Sequence, residues 1–121
     1  MLITGVDIIE IERIRRVTQG YGDRFLRRIY TKSEIEYARG RAPQLASRFA
    51  AKEAVAKALG TGIGAELGFH SVQIENDNRG KPLLRFMGSA IEMVAGLNIN
   101  NAMISLSDEK HYVVAMVVLE S

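Results

Sequence analysis

An alanine-rich segment near the middle of the chain carries two charged side chains within its apolar face. Pro43 suits the first turn of a helix and Gly60 suits its end, so the sequence predicts a long helix over 43–59. Glu53 and Lys57, four residues apart, either form a local ion pair on an exposed face or belong to a functional site. The residues that share their face are Ala46, Phe49, Ala50, Ala54 and Ala58.

The first nine residues, MLITGVDII, are typical of a buried strand that contains a single acid, Asp7. A carboxylate in an apolar run costs free energy unless something compensates its charge. Gly5 has no side chain and would leave room beside the strand for another backbone or a ligand. Asp7 either caps the helix that begins nearby or, if the strand packs beside the long helix, joins Glu53 as a metal ligand. Two carboxylates, with water and phosphate in the other positions, are how proteins usually hold Mg²⁺.

Four short motifs follow one another along the chain. They are Gly5-Val6-Asp7 with Arg13, then Phe49, Lys52, Glu53 and Lys57 with the glycine-rich turn 60–64, then Gly80-Lys81-Pro82, and last the segment AMISLSDEKHYVVAMVVLE. One such motif would be weak evidence, but four in order over nearly the whole chain are specific. In this arrangement the chain resembles the holo-acyl carrier protein synthase family of the 4'-phosphopantetheinyl transferase superfamily.

The resemblance implies an enzyme that transfers 4'-phosphopantetheine from coenzyme A to a serine hydroxyl of an apo-acyl carrier protein and releases adenosine 3',5'-bisphosphate. Mg²⁺, held by Asp7 and Glu53, would bridge the pyrophosphate and neutralise the charge that develops during the attack. Arg48 and Lys57 would hold phosphate oxygens. Lys57 is also a candidate general base, and a metal-bound water or hydroxide is an equally good alternative.

The same resemblance implies that Gly62, Lys81 and Pro82 border the coenzyme A site. Both segments also have a purely structural interpretation. The glycine-rich turn follows a helix and suits its C-cap, and Gly80-Lys81-Pro82 suits a hairpin turn. The resemblance also implies that the protein is a homotrimer with active sites at the interfaces between its subunits. The apolar run 113–119 agrees, because it would leave apolar surface on both faces of the last strand.

One residue departs from the family pattern. Where the family typically has Ser-x-Ser-His, this chain has Ser105-Leu106-Ser107-Asp108. An acid near the pyrophosphate would repel it unless the acid faces away or helps to hold a cation. His111 lies three residues further on, and the sequence does not indicate that it replaces the missing side chain.

Basic residues are concentrated in one part of the chain. Residues 13–32 contain seven Lys or Arg and a single acid, Asp23, although the whole chain has a net charge of only +2. Such a patch is either a solvated helix face or a binding surface for an anionic partner. Because acyl carrier proteins are acidic, the resemblance implies that Arg13, Arg24 and Arg28 contact the carrier protein.

Length and composition predict a single domain over residues 1–121, since 121 residues with 47% hydrophobic content form a modest core. There is no cysteine, which excludes disulfides and a thiolate nucleophile. The N-terminus lacks the pattern of a secretion signal, and no apolar run approaches the ~18 residues of a membrane span. These features predict a cytoplasmic protein without a membrane partner.

The periodicity of the chain predicts an α+β fold. Short helices are expected at about 10–18, 21–29 and 32–40 and near 88–97, with Thr31 and Glu34 as a capping box for the third. Strands are expected near 2–8, 69–76, 82–87, 102–107 and 111–119. The expected architecture is an antiparallel sheet packed with one long helix and several short helices, a 4'-phosphopantetheinyl transferase-like fold.

Two other functions remain open. A basic nucleic-acid-binding module would explain residues 13–32 but not the pairing of Asp7 with Glu53, and no nucleic-acid-binding motif is present. A Mg²⁺-dependent phosphohydrolase would explain the two carboxylates but gives the basic patch no role.

Overall fold

The computed structural model describes residues 1–64 and 66–121, and its elements follow the order expected from the sequence. The long helix begins at Ala42 and ends at Leu59, with Gly60 as its left-handed C-cap. Most bounds lie within two residues of those expected, but the first helix extends to Tyr21 rather than to about residue 18. The strand expected from residue 69 starts at Val72, because a short 3₁₀ turn precedes it. The elements are β1 (Leu2–Glu10), α1 (Ile11–Tyr21), α2 (Asp23–Ile29), α3 (Lys32–Ala38), α4 (Ala42–Leu59), β2 (Val72–Asn76), β3 (Pro82–Phe86), α5 (Ser89–Gly96), β4 (Asn101–Asp108) and β5 (Tyr112–Glu120).

The strands form two antiparallel sheets rather than one. β1, β5 and β4 lie side by side in that order, so that β5 is the central strand, while β2 and β3 form a separate hairpin. In the three-stranded sheet, Ala115 of β5 lies between Asp7 of β1 and Leu106 of β4. The α+β class and the long helix against an antiparallel sheet are confirmed.

Close packing of α4 on β1 positions the candidate site. Ala50 and Ala54 are fully buried on the helix face that meets the sheet. A Cβ added to Gly5 would lie 2.0 Å from the carbonyl oxygen of Ala54, so only glycine permits this separation of strand and helix. Asp7, two residues after Gly5, lies on the same face of β1 and is therefore held beside α4.

The two faces of the three-stranded sheet differ in burial. On β5, residues Val113, Ala115 and Val117 are fully buried against the helix, whereas Val114 and Met116 on the opposite face are exposed. A contiguous exposed apolar surface of this kind usually marks an interaction site. We call it the outer face, and its apolar residues are Leu2, Val6, Ile8, Met103, Val114 and Met116.

A buried ion pair fastens α3 and α4 to the β2 segment. The Lys52 ammonium lies 2.8 Å from the Glu34 carboxylate, and both side chains are fully buried. Lys52 also donates to the carbonyl oxygens of Phe69 and Val72, and the Glu34 carboxylate accepts from the backbone N–H of Ile74. The capping box of Thr31 and Glu34 is confirmed. The Glu34 carboxylate therefore takes part both in the N-terminal cap of α3 and in the buried ion pair with Lys52.

No helix in residues 1–64 and 66–121 is both long enough and apolar enough to cross a membrane.

Candidate functional site

Asp7 and Lys57 meet where β1 crosses α4. The Lys57 ammonium donates to the Asp7 carboxylate at 2.9 Å, although 50 residues separate them in sequence. The Asp7 side chain is 15% exposed and that of Lys57 is 56% exposed, so the pair opens to solvent from the lysine side. Among the described residues, the ion-pair partner of Lys57 is Asp7 rather than Glu53, and the local ion pair considered for the helix is not formed.

Glu53 lies close enough to Asp7 for the two carboxylates to interact. Partial burial raises the pKa of Glu53, the negative charge of Asp7 raises it further, and Lys57 opposes the shift. Asp7 does not cap α1, because Glu10 occupies the N-cap position and contributes no side-chain hydrogen bond. The structure therefore brings three of the candidate residues, Asp7, Glu53 and Lys57, near one another.

The chemistry of this cluster fits a small divalent cation. Two carboxylates that repel each other would be stabilised by a cation between them, and oxygen ligands are those that Mg²⁺ prefers. No third acid, histidine or cysteine completes a metal site within the part of the chain that the structure describes. Mg²⁺ commonly keeps its remaining positions for water and substrate phosphate, so two protein ligands are sufficient.

Arg48 lies in a different place, at a polar cavity of about 250 Å³ beyond the β4 edge of the sheet. The side chain is only 3% exposed, and its guanidinium donates to the amide oxygen of Asn76. Its Nε has no hydrogen-bond partner among the described residues, and burial lowers the pKa of the group. Pro82 and Gly80 of the β2–β3 turn line the same cavity.

The predicted site residues thus fall into two groups on one chain. Asp7, on β1, and the cavity beside β4 lie at opposite edges of the sheet, with β5 between them. Neighbouring strands are about 4.8 Å apart, so about 10 Å separates Asp7 from the β4 residues that line the cavity, measured across the sheet. Gly62 and Lys81 are exposed in turns, the first following the C-cap of α4 and the second donating its backbone N–H to Asp77.

Asp108, the residue that departs from the family pattern, lines the cavity at the end of β4. It shares the cavity with Arg48, yet the two form no ion pair among the described residues. His111 is exposed in the β4–β5 turn, where its backbone carbonyl accepts from the N–H of Ile11. His111 is not among the residues that line the cavity.

The three arginines assigned to docking are exposed on α1 and α2. Arg24 and Arg28 line a groove of about 400 Å³ between these helices, together with the rings of Tyr21 and Phe25. Arg15, Arg16 and Arg27 on the same helices are paired with acids. Within the described residues, Arg13, Arg24 and Arg28 have no such partner, which leaves their charge available to another molecule.

Sequence analysis assigned no role to Lys52, Tyr37 or Asn76. Lys52 belongs to the helix motif, but its charge is neutralised by Glu34 inside the protein, so it is a structural residue. Tyr37 and Asn76 contact Arg48 from other elements. Contacts between distant segments leave no local pattern, and nothing in the sequence points to these two residues.

The chain is similar to known proteins in both sequence and structure. Residues 3–117 match the 4'-phosphopantetheinyl transferase superfamily. A holo-[acyl-carrier-protein] synthase of Vibrio cholerae is 49% identical over 119 residues, which cover 96% of this chain and 94% of the relative. The Helicobacter pylori holo-[acyl-carrier-protein] synthase in complex with coenzyme A is 32% identical, with a TM-score of 0.90 over 98% of this chain and 100% of the other. The Neisseria meningitidis enzyme is 36% identical, also with a TM-score of 0.90, over 98% of each chain.

Proposed function

The chain belongs to the 4'-phosphopantetheinyl transferase superfamily, and from that premise we propose that it transfers 4'-phosphopantetheine from coenzyme A to a serine hydroxyl of an apo-acyl carrier protein. The observation that carries the proposal is the meeting of Asp7, Glu53 and Lys57 on a chain whose V. cholerae relative is a holo-[acyl-carrier-protein] synthase. Coenzyme A as the donor is supported by the similar H. pylori enzyme, whose structure contains it.

Within this proposal, Asp7 and Glu53 hold Mg²⁺, which would offset the negative charge that develops on the phosphates. Lys57 holds a phosphate oxygen, because its ammonium is exposed and oriented by Asp7. Arg48 binds another phosphate from its buried position in the cavity. The serine hydroxyl gives up its proton to a base and its oxygen bonds to phosphorus as the pyrophosphate P–O bond breaks, and adenosine 3',5'-bisphosphate leaves with the electron pair of that bond.

Intact mass spectrometry tests the activity directly. An apo-carrier protein incubated with this protein, coenzyme A and Mg²⁺ is expected to gain the mass of one phosphopantetheine. Release of inorganic phosphate from nucleotides without any need for a carrier protein would favour a phosphohydrolase. Steeply salt-dependent retention on DNA or RNA without affinity for coenzyme A would favour a nucleic-acid-binding module.

We further propose that the active site is shared between subunits of a homotrimer. Asp7 lies on one edge strand and Asp108 of the Arg48 cavity on the other, so each edge carries part of a site that a neighbouring subunit could complete. Complementary half-sites at opposite edges produce a head-to-tail interface, which gives a ring when the rotation between subunits closes. The exposed apolar outer face supplies the surface that such a ring would bury.

Met116 offers a test of this assembly, because it lies on the central strand of the outer face and is 47% exposed. Met116→Lys is expected to give a folded monomer with little transferase activity, since a lysine cannot be buried there without a partner. Analytical ultracentrifugation and the mass assay measure the two effects. Ile91→Lys is the control, because Ile91 is equally exposed but lies on α5. A wild-type protein that is fully active as a monomer at micromolar concentration contradicts the proposal.

Docking of the acidic carrier protein on Arg13, Arg24 and Arg28 makes a kinetic prediction. Reversal of all three to Glu is expected to raise KM for the carrier protein at least about tenfold at low salt, since charge complementarity mainly speeds encounter. KM for coenzyme A should hardly change. Unchanged carrier-protein kinetics in the folded triple variant would rule out this docking surface.

The matched control reverses Arg15, Arg16 and Arg27, which carry the same total charge on the same two helices but are paired with acids. If net charge alone attracts the carrier protein, both triple variants will raise KM equally. A larger effect of the unpaired set is the result expected for a defined contact surface.

A further inference from the structure

Arg48 is a buried cation without a carboxylate partner among the described residues. A buried charge is destabilising unless polar groups or an opposite charge compensate it. Arg48 has a hydrogen bond to Asn76, a long one of 3.4 Å to Ser47, and none from Nε. A buried guanidinium that lacks a carboxylate partner and lies beside a cavity is suited to bind an anion. This agrees with the proposed role of Arg48 toward a phosphate of coenzyme A.

Tyr37 supplies the remaining support of the guanidinium. The central carbon of Arg48 lies 4.1 Å from the centroid of the Tyr37 ring, so the planar group stacks on the ring face. Arg41 lies over the same ring at 5.5 Å, and its own side chain donates to the carbonyl oxygens of Tyr37 and Ala38. Tyr37 is itself 43% exposed and lines the cavity, so it is not a residue of the hydrophobic core.

The position of Asp108 explains why Arg48 needs to be held in place. It is an exposed carboxylate in the same cavity, and a freely rotating Arg48 would be attracted to it. An ion pair between them would neutralise the guanidinium and remove it from a phosphate. The contact with the Tyr37 ring and the hydrogen bond to Asn76 together restrict the movement of the guanidinium.

We propose that Tyr37 is a positioning residue for coenzyme A: its ring holds Arg48 ready for a phosphate of the substrate and away from Asp108. This inference rests on the proposed transferase function. The shared chemistry is a phosphate group, which is either the 3'-phosphate or part of the diphosphate of coenzyme A.

Kinetics of ring variants provide the test. Tyr37→Leu is expected to raise KM for coenzyme A about tenfold, as removal of a partly desolvated cation–π contact should. kcat and KM for the carrier protein should stay within about twofold of wild type. Tyr37→Phe, which keeps the ring, should restore KM for coenzyme A. Glu36→Ala, an exposed neighbour on α3, is the control for the integrity of that helix.

Two double variants separate positioning from a general structural effect. In an Arg48→Lys background, Tyr37→Leu should cause little further change, because the guanidinium that it positions is absent. Asp108→Asn should lower KM for coenzyme A more in the Tyr37→Leu protein than in wild type, because it removes the competing carboxylate. A Tyr37→Leu effect that persists in full in both backgrounds, or an unchanged KM in folded Tyr37→Leu, overturns the inference.

Assay with 3'-dephospho-coenzyme A distinguishes the two phosphates. A Tyr37→Leu effect seen with coenzyme A but not with the dephospho compound assigns Arg48 to the 3'-phosphate, and an equal effect assigns it to the diphosphate. Calorimetric binding of adenosine 3',5'-bisphosphate needs no turnover. A protein that binds this nucleotide but never loads a carrier protein would refute the transferase proposal, while Tyr37→Leu would still test the positioning role.

Discussion

Replacement of Asp7 or of Glu53 by alanine is expected to lower the rate of phosphopantetheine transfer about 1,000-fold. Each change removes one of the two carboxylates proposed to hold Mg²⁺, and a bound cation contributes several kcal/mol to the stabilisation of developing phosphate charge. The fold should survive. Lys57 is exposed, so its pair with Asp7 adds little stability, and loss of Asp7 also relieves its repulsion of Glu53.

Thermal unfolding with and without Mg²⁺ gives a readout that is independent of turnover. Mg²⁺ should raise Tm of the wild-type protein, because a ligand that binds only the native state stabilises it, and should leave Tm of either alanine variant unchanged. Asp23→Ala is the control, since Asp23 is an exposed acid on α2. Near wild-type turnover of either site variant in metal-limited buffer would show that these carboxylates are not the metal ligands.

Gly5→Ala is expected to destabilise the protein by about 3 kcal/mol or more. The added methyl group would lie 2.0 Å from the Ala54 carbonyl oxygen and 2.8 Å from the Ala58 nitrogen, both of them backbone atoms that cannot rotate away. The strand and α4 must therefore separate, with the cost of an overpacked core. Because Asp7 follows on the same strand, the remaining folded protein should also transfer phosphopantetheine more slowly.

The matched control for this prediction is Gly20→Ala in α1. A Cβ at Gly20 meets no atom within 4 Å among the described residues, and alanine is favoured over glycine in a helix by up to about 1 kcal/mol. Denaturant unfolding should therefore show opposite signs for the two substitutions. Equal stability of Gly5→Ala and wild type would mean that the close approach of β1 to α4 is not needed for folding.

Local patterns predicted most of the elements. Pro43 and Gly60 bounded α4 correctly, and Thr31 with Glu34 capped α3 as expected, because caps depend on residues a few positions apart. The packing of β1 beside α4 was only a condition for pairing Asp7 with Glu53, suggested by one unusual acid and one glycine in an apolar strand, and the structure meets that condition. The division of the strands between two sheets was not predicted, since hairpin signals define pairs of strands but not whether two pairs join.

Contacts between segments distant in sequence were beyond the reach of these patterns. Lys52 looked like any charged residue of the helix motif, and only its pairing with Glu34 identifies it as structural. Arg48 was assigned to phosphate by resemblance, but its place in a cavity with Asp108 of β4 depends on contacts between distant segments. The same is true of the stacking of Tyr37 on Arg48, which joins α3 to α4 through side chains alone.

The position of β5 has a consequence for synthesis of the chain on the ribosome. β5 is the middle strand of its sheet and follows the other described elements in the sequence, so β1 has no hydrogen-bonding partner until residues 112–120 have emerged. The alanine-rich face of α4 also stays uncovered until Val113, Ala115 and Val117 have emerged. Non-local pairing of this kind slows folding and prolongs the exposure of apolar surface. We therefore expect the nascent chain to bind chaperones until residues 112–120 have emerged and paired with β1.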